Sequence, residues 1–199
     1  MIEAACPYCL KILSNVPKRK FKCPYCAKDI YVRAKQALFE SHLLSEEESQ
    51  VVDWFNKLQG YGFTRDDFRR KKEELAKKFK IKPPLRDIIW GLFQEAIMKN
   101  ADSYHFLSII NYEMAVFLDE EGKNPFHCLY ESKKMQLLNY KGTQKVKIIS
   151  INDRITCHSC KNLNGKIFAI EDALNGMPIP PKDCPFCRCR YVSADFEHI

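Results

Sequence analysis

The chain has 199 residues, of which 46% are hydrophobic and 29% charged, a balance that fits a folded globular protein and excludes a disordered or fibrous one. It has no run of about 18 apolar residues, and Met1-Ile2-Glu3-Ala4-Ala5-Cys6 lacks the basic start and apolar stretch of a signal peptide, so no membrane span and a reducing, cytoplasmic setting are expected. The formal net charge of +7 counts thiols as neutral. Two zinc sites of four thiolates would each carry about −2 and leave about +3, which weakens basicity as an argument for nucleic acid.

Residues 1–33 contain Cys6-Pro7-Tyr8-Cys9 and Cys23-Pro24-Tyr25-Cys26, an internal repeat of one turn. Between them Val16 to Lys22 reads as a turn leading into a strand, and Ile30-Tyr31-Val32 has the β-branched and aromatic content of another. Residues 34–44 read as a linker. Ser45 followed by Glu48 predicts a capping box, opening a helix that buries Val51, Val52, Phe55 and Leu58 and stops at Gly60. Thr64 and Asp67 predict a second cap, for a helix from about Arg65 to Lys80 whose strongly apolar members are Phe68, Leu75 and Phe79, ended by Pro83-Pro84. Leu85, Ile88, Ile89, Leu92, Phe93, Ala96 and Ile97 recur three and four apart, the period of a core-facing helix. A further helix after Asp102 is expected to bury Phe106, Leu107, Ile110, Met114, Phe117 and Leu118, and one more runs from about Phe126 to Tyr140, before Gly142. The predicted class is α+β: a zinc ribbon over 1–33, a helical domain over 45–141, and a small zinc-binding α/β module over 142–199 that starts with a strand over Val146–Ile151.

A Cys-x-x-Cys turn aims two thiolates at one ion, and a second such turn completes a tetrahedron. Cys6, Cys9, Cys23 and Cys26 meet that requirement and are expected to hold one structural Zn²⁺. A disulfide framework fits less well, because nine of the ten cysteines fall in tight clusters built on this spacing. The second cluster is Cys157-His158-Ser159-Cys160 with Cys184-Pro185-Phe186-Cys187-Arg188-Cys189. Cys157, Cys160, Cys184 and Cys187 are expected to hold a second Zn²⁺, with Cys189 either a buried thiol or exchanging with Cys187. His158 is expected to face solvent.

The stretch Asp153-Arg154-Ile155-Thr156-Cys157, the Asn164-Gly165 turn before Lys166-Ile167-Phe168, and Pro180-Pro181 ahead of Cys184-Pro185-Phe186-Cys187-Arg188-Cys189 together resemble the C-terminal module of phage head morphogenesis proteins, the Mu F-like minor head proteins. That family has His-Pro-x-Cys-Arg-Cys at the end, so Cys184 stands where its histidine does. The resemblance implies a phage or prophage protein, in the virion or host cytoplasm, that engages a protein partner, since family members act with the portal during head assembly. This chain departs from the family in being short and in carrying an N-terminal ribbon.

No His-Glu-x-x-His, phosphate-binding glycine loop, Gly-x-Ser-x-Gly or deaminase His-x-Glu is present, so a non-enzymatic binding role is expected. Arg65, Arg69, Arg70, Lys71, Lys77 and Lys78, with Lys18, Arg19 and Lys20 of the ribbon loop, are the candidate contacts to nucleic acid. Tyr8 or Tyr25 could add stacking; a solvated helix face is the bland reading of the same charges. Two alternatives stay open: a nuclease that uses the ribbon to capture substrate, and a phage–host conflict protein that reuses the head module.

Overall fold

The computed structural model describes residues 4–14, 18–33, 38–39 and 41–194. Val16 and Pro17 of the expected turn, and residues 34–37 and 40 of the expected linker, lie outside them. The chain is α+β, and by its contacts it divides into two units, residues 1–96 and 97–199.

In the first unit β1 (Phe21–Lys22), β2 (Asp29–Val32) and β3 (Leu43–Leu44) form an antiparallel sheet in that order, with Phe21 opposite Ile30 and Tyr31 opposite Leu44. Cys6, Leu13, Cys23, Ile30 and Leu43 are its buried centre, and a core this small needs a staple. Helix α1 (Glu46–Gln59) follows directly. Ser45 Oγ accepts from the Glu48 amide at 3.2 Å while the Glu48 carboxylate accepts from the Ser45 amide at 2.8 Å, the reciprocal pair the sequence predicts. The expected Val51, Val52, Phe55 and Leu58 are buried, as is Trp54, whose ring meets Phe93 edge-on at 5.8 Å.

Helix α2 (Arg65–Phe79), capped by Thr64, buries Phe68 against Phe55. Its last apolar residue, Phe79, is exposed, while Lys71 is buried. Gly91 of α3 (Leu85–Lys99) admits the lysine: a Cβ there would lie 3.0 Å from the Lys71 stem, so the glycine leaves room for that side chain. Lys71 then reaches Glu74 at 2.7 Å and Glu95 at 2.5 Å, and Arg70 reaches Glu95 at 2.6 Å. Ile88, Ile89, Leu92, Phe93 and Ala96 are buried along α3, as its period requires.

In the second unit α4 (Tyr104–Glu120) and α5 (Phe126–Asn139) pack together across a short turn in which Gly122 takes φ +65. Ser132 Oγ donates to the Ser108 carbonyl at 2.9 Å between them. Leu107, Ile110, Met114 and Phe117 of α4 are buried; Phe106 is exposed, because one residue before Leu107 it is turned about 100° off that stripe. The sheet has β4 (Lys145–Ile149) at its centre, antiparallel to both β5 (Ile167–Ala169) and β6 (Arg190–Ser193), with Val146 opposite Phe168 and Ile148 opposite Tyr191. Short helices α6 (His158–Leu163) and α7 (Ile170–Gly176) complete it. Leu137, Val146, Ile148, Ala173, Ile179 and Tyr191 share one core with four cysteines. Among the described residues no helix is long and apolar enough to cross a membrane.

Candidate metal centres

The ribbon turns are built alike. The Leu10 amide donates to the Cys6 carbonyl at 3.0 Å and the Ala27 amide to the Cys23 carbonyl at 2.9 Å, with Leu10 and Ala27 both in the left-handed region at φ 60 and 57. These turns bring the four expected sulfurs within 4.8 Å of one another. Cys6 and Cys26 are 3.8 Å apart, as are Cys9 and Cys23. A tetrahedron with Zn–S bonds of about 2.3 Å has S–S edges of about 3.8 Å, so the set fits zinc as it stands. The Tyr8 amide already points at the Cys6 sulfur, at 3.4 Å.

The thiols are unequal before a metal binds. Against the penalty of burial, the amides of Tyr25 and Cys26 and the neighbouring thiols bring Cys23 down to about 6. Cys26, although the Lys28 amide favours its thiolate, is pushed up to about 11 by burial and by three neighbouring thiols. Loading the site therefore releases protons.

The second cluster has five members in two overlapping groups. Cys157, Cys160 and Cys184 lie within 4.8 Å of one another, and so do Cys160, Cys187 and Cys189. Cys160 is common to both, 3.7 Å from Cys184 and 3.7 Å from Cys187. The four residues expected from sequence thus meet at Cys160 rather than forming one group at that spacing. Cys157 caps α6, its sulfur accepting from the Cys160 amide at 3.4 Å. Asp153 holds the approach to that turn: its carboxylate accepts from Thr156 Oγ1 at 2.9 Å and from both Arg188 nitrogens at 2.8 and 2.5 Å. The Arg188 guanidinium, more than any other neighbour, lowers the Asp153 carboxyl to about 2. Ser159 donates to Asp183 at 2.5 Å, a second tie between the two cysteine segments.

Sequence reasoning missed Lys133. It lies on α5, 2% exposed, its ammonium 5.3 Å from the Tyr112 ring centre. Burial pushes its pKa down, and Cys187, Cys189 and Cys160 oppose that shift. A buried cation there would offset part of the negative charge that four thiolates leave on a zinc site. A lysine inside an otherwise polar stretch of helix gives no such signal. His158 is exposed, as expected.

The basic candidates separate into two sets. Lys71 is buried, and Arg70 is bonded to Glu95, so both are engaged within the protein. Lys20 pairs with Asp29 at 3.1 Å and lies over the Tyr31 ring, and Arg69 is 3.5 Å from Asp66. Lys18, Arg19, Arg65, Lys77 and Lys78 are exposed. The Tyr8 hydroxyl accepts from the Glu46 amide at 2.9 Å, docking the first turn on α1, whereas Tyr25 is 53% exposed beneath Lys11.

No curated protein and no solved structure matches the chain. Residues 124–192, a span that contains α5, the whole β5-β4-β6 core up to Val192 and all five cysteines of the second cluster, match the family model described as Phage Mu protein F like protein.

Proposed function

We propose that the chain is a non-enzymatic, zinc-stabilised binding protein of phage or prophage type, similar to head-morphogenesis proteins, with one Zn²⁺ in each cysteine cluster and a C-terminal module that engages a protein partner. The observation that carries this reading is the coincidence, over residues 124–192, of the family match with a core built on clustered cysteines. Beside that core the loop pinned by Asp153 and Arg188 presents Ile151 and Ile155, 59% and 77% exposed. Apolar side chains held on a rigid loop suit a protein contact. Co-expression with the portal protein of the same genome tests it. A complex that survives gel filtration is expected, and Ile151→Asp with Ile155→Asp should dissolve it while leaving the zinc content unchanged. Failure of the unmodified chain to bind the portal would overturn the choice of partner.

A second reading, contact with nucleic acid, is favoured by exposed basic side chains on α2 and the segment after it. Arg69, Lys72, Lys80 and Lys82 line an open groove of about 600 Å³ with Glu73 as its one carboxylate. Phosphate contacts of this kind would be weakly sequence-specific and steeply salt-dependent. Labelled single- and double-stranded DNA and RNA at low salt, with and without Mg²⁺, test it. Binding without cleavage supports this reading, cleavage that follows the protein through purification supports the nuclease alternative, and no binding removes both.

A further inference from the structure

The second cluster has one thiol more than a tetrahedral ion uses. Nothing in the packing sets that thiol apart. Burial alternates along Cys187-Arg188-Cys189-Arg190-Tyr191, with Cys187, Cys189 and Tyr191 buried and the two arginines further out. That is the period of the strand β6 they lead into, and it places Cys187 and Cys189 on one side. Arg188, on the other side, is anchored to Asp153 through two bonds. Both sulfurs therefore face Cys160.

Each has a separate claim to complete the set begun by Cys157, Cys160 and Cys184. Cys187 lies 3.7 Å from Cys160. Cys189 shares a cavity of about 10 Å³ with Cys157, Cys160 and Cys184, whose lining does not include Cys187. That volume is about one water-sized probe. Neither sulfur belongs to the Cys157, Cys160, Cys184 group at the spacing that defines it, so neither holds the place outright. Lys133, buried on α5, interacts electrostatically with Cys160, Cys187 and Cys189 and can balance charge on either member of the pair.

We propose that Cys157, Cys160 and Cys184 are the fixed ligands of the C-terminal ion and that Cys187 and Cys189 alternate as the fourth. This rests on the zinc reading of the cluster. In the exchange one Zn–S bond forms as another breaks; the arriving thiol gives up its proton and the departing thiolate takes one up, so charge and electrons are unchanged. The consequence is a centre that keeps its ion when either cysteine of the pair is lost. Two equivalent choices in place of one are worth only a factor of about 2 in the binding constant, whereas loss of a fixed ligand opens the tetrahedron.

Native mass spectrometry of the full chain, with competition against a chromophoric chelator, reads the outcome. The unmodified chain should carry two zinc ions. Cys187→Ser and Cys189→Ser should each still carry two, with C-terminal affinity lowered by about twofold, and the double variant should carry one. If either single variant falls to one ion, that cysteine is a fixed ligand and the alternation is wrong. It is equally wrong if the double variant keeps both ions, or if the unmodified chain takes up a third, which would mean that the two groups fill separately through a shared Cys160. An unmodified chain carrying the ribbon ion alone would instead refute the zinc reading of this cluster. Cadmium-113 spectra of the unmodified chain give a check that needs no variant: a sharp ribbon line and an exchange-broadened C-terminal line are expected, and two equally sharp lines at all temperatures would overturn the exchange.

Discussion

In the ribbon, Cys6, Cys9, Cys23 and Cys26 come from two copies of one turn, and among the described residues the buried apolar side chains packed with them are Leu13, Ile30 and Leu43. In the second cluster the cysteines interleave with Leu137, Val146, Ile148, Ile179 and Tyr191, and two side-chain ties, from Arg188 to Asp153 and from Ser159 to Asp183, hold the segments together. The difference teaches what each ion is asked to do. A metal in the ribbon would have little else beside it to order that fold, yet its loss should stay local. An ion held by the second cluster would lie in a core shared with Leu137, Val146, Ile148, Ile179 and Tyr191, so its loss should spread.

The largest expected effect breaks the comparison at Cys160. Cys160→Ser removes the one residue common to both groups and should eliminate the C-terminal ion, whose binding is worth on the order of 10 kcal/mol of folding free energy in small zinc modules. Near-ultraviolet circular dichroism, dominated there by Tyr191 and its neighbours, should collapse for the second unit. Next comes Cys23→Ser, which should cost one zinc ion and the ribbon's protease resistance while far-ultraviolet helical signal remains, because α1 and α3 bury their own apolar stripes. Loss of all helical signal would show that the ribbon is needed by the helices it precedes.

Arg188→Ala tests the ties rather than the ligands. Partners that orient metal ligands are typically worth 10- to 100-fold in affinity, and a loss of that size is expected at the C-terminal site alone, read by chelator competition. The smallest effect concerns acid. The Asp153 carboxyl has its pKa lowered from 3.8 to about 2, so the Arg188 contact adds stability that is complete above pH 4 or so and fades as the pH falls through about 2. Cysteine ligands take up protons and release zinc well before that. The Asp153 carboxylate should therefore stay paired with Arg188 across the whole pH range in which zinc is retained, and an acid titration of the zinc-loaded chain in which Asp153 protonates before the metal is released would contradict the geometry.

Local chemistry made much of the molecule legible. Ser45 with Glu48 and Thr64 with Asp67 announce two helix starts, and the spacing from Ile88 to Ala96 fixes the buried face of α3. That Cys6, Cys9, Cys23 and Cys26 come together follows from two matched turns. What stayed hidden depends on contacts between elements. Lys71 reads as a surface charge until Gly91 is seen to admit its stem, and Phe106 reads as core until the face of α4 is fixed by its neighbours. The second cluster shows the same limit: five cysteines in order give no hint that Cys160 is shared, or that Lys133, from a helix some twenty-five residues earlier, lies beside them.

X-ray absorption at the zinc edge of the purified full chain, taken with its metal content, tests the central claim that both clusters are all-sulfur zinc centres. Two ions per chain, with an average first shell of four sulfurs at about 2.3 Å, is the predicted result. A content of one ion or none, or a first shell containing nitrogen or oxygen, would contradict it.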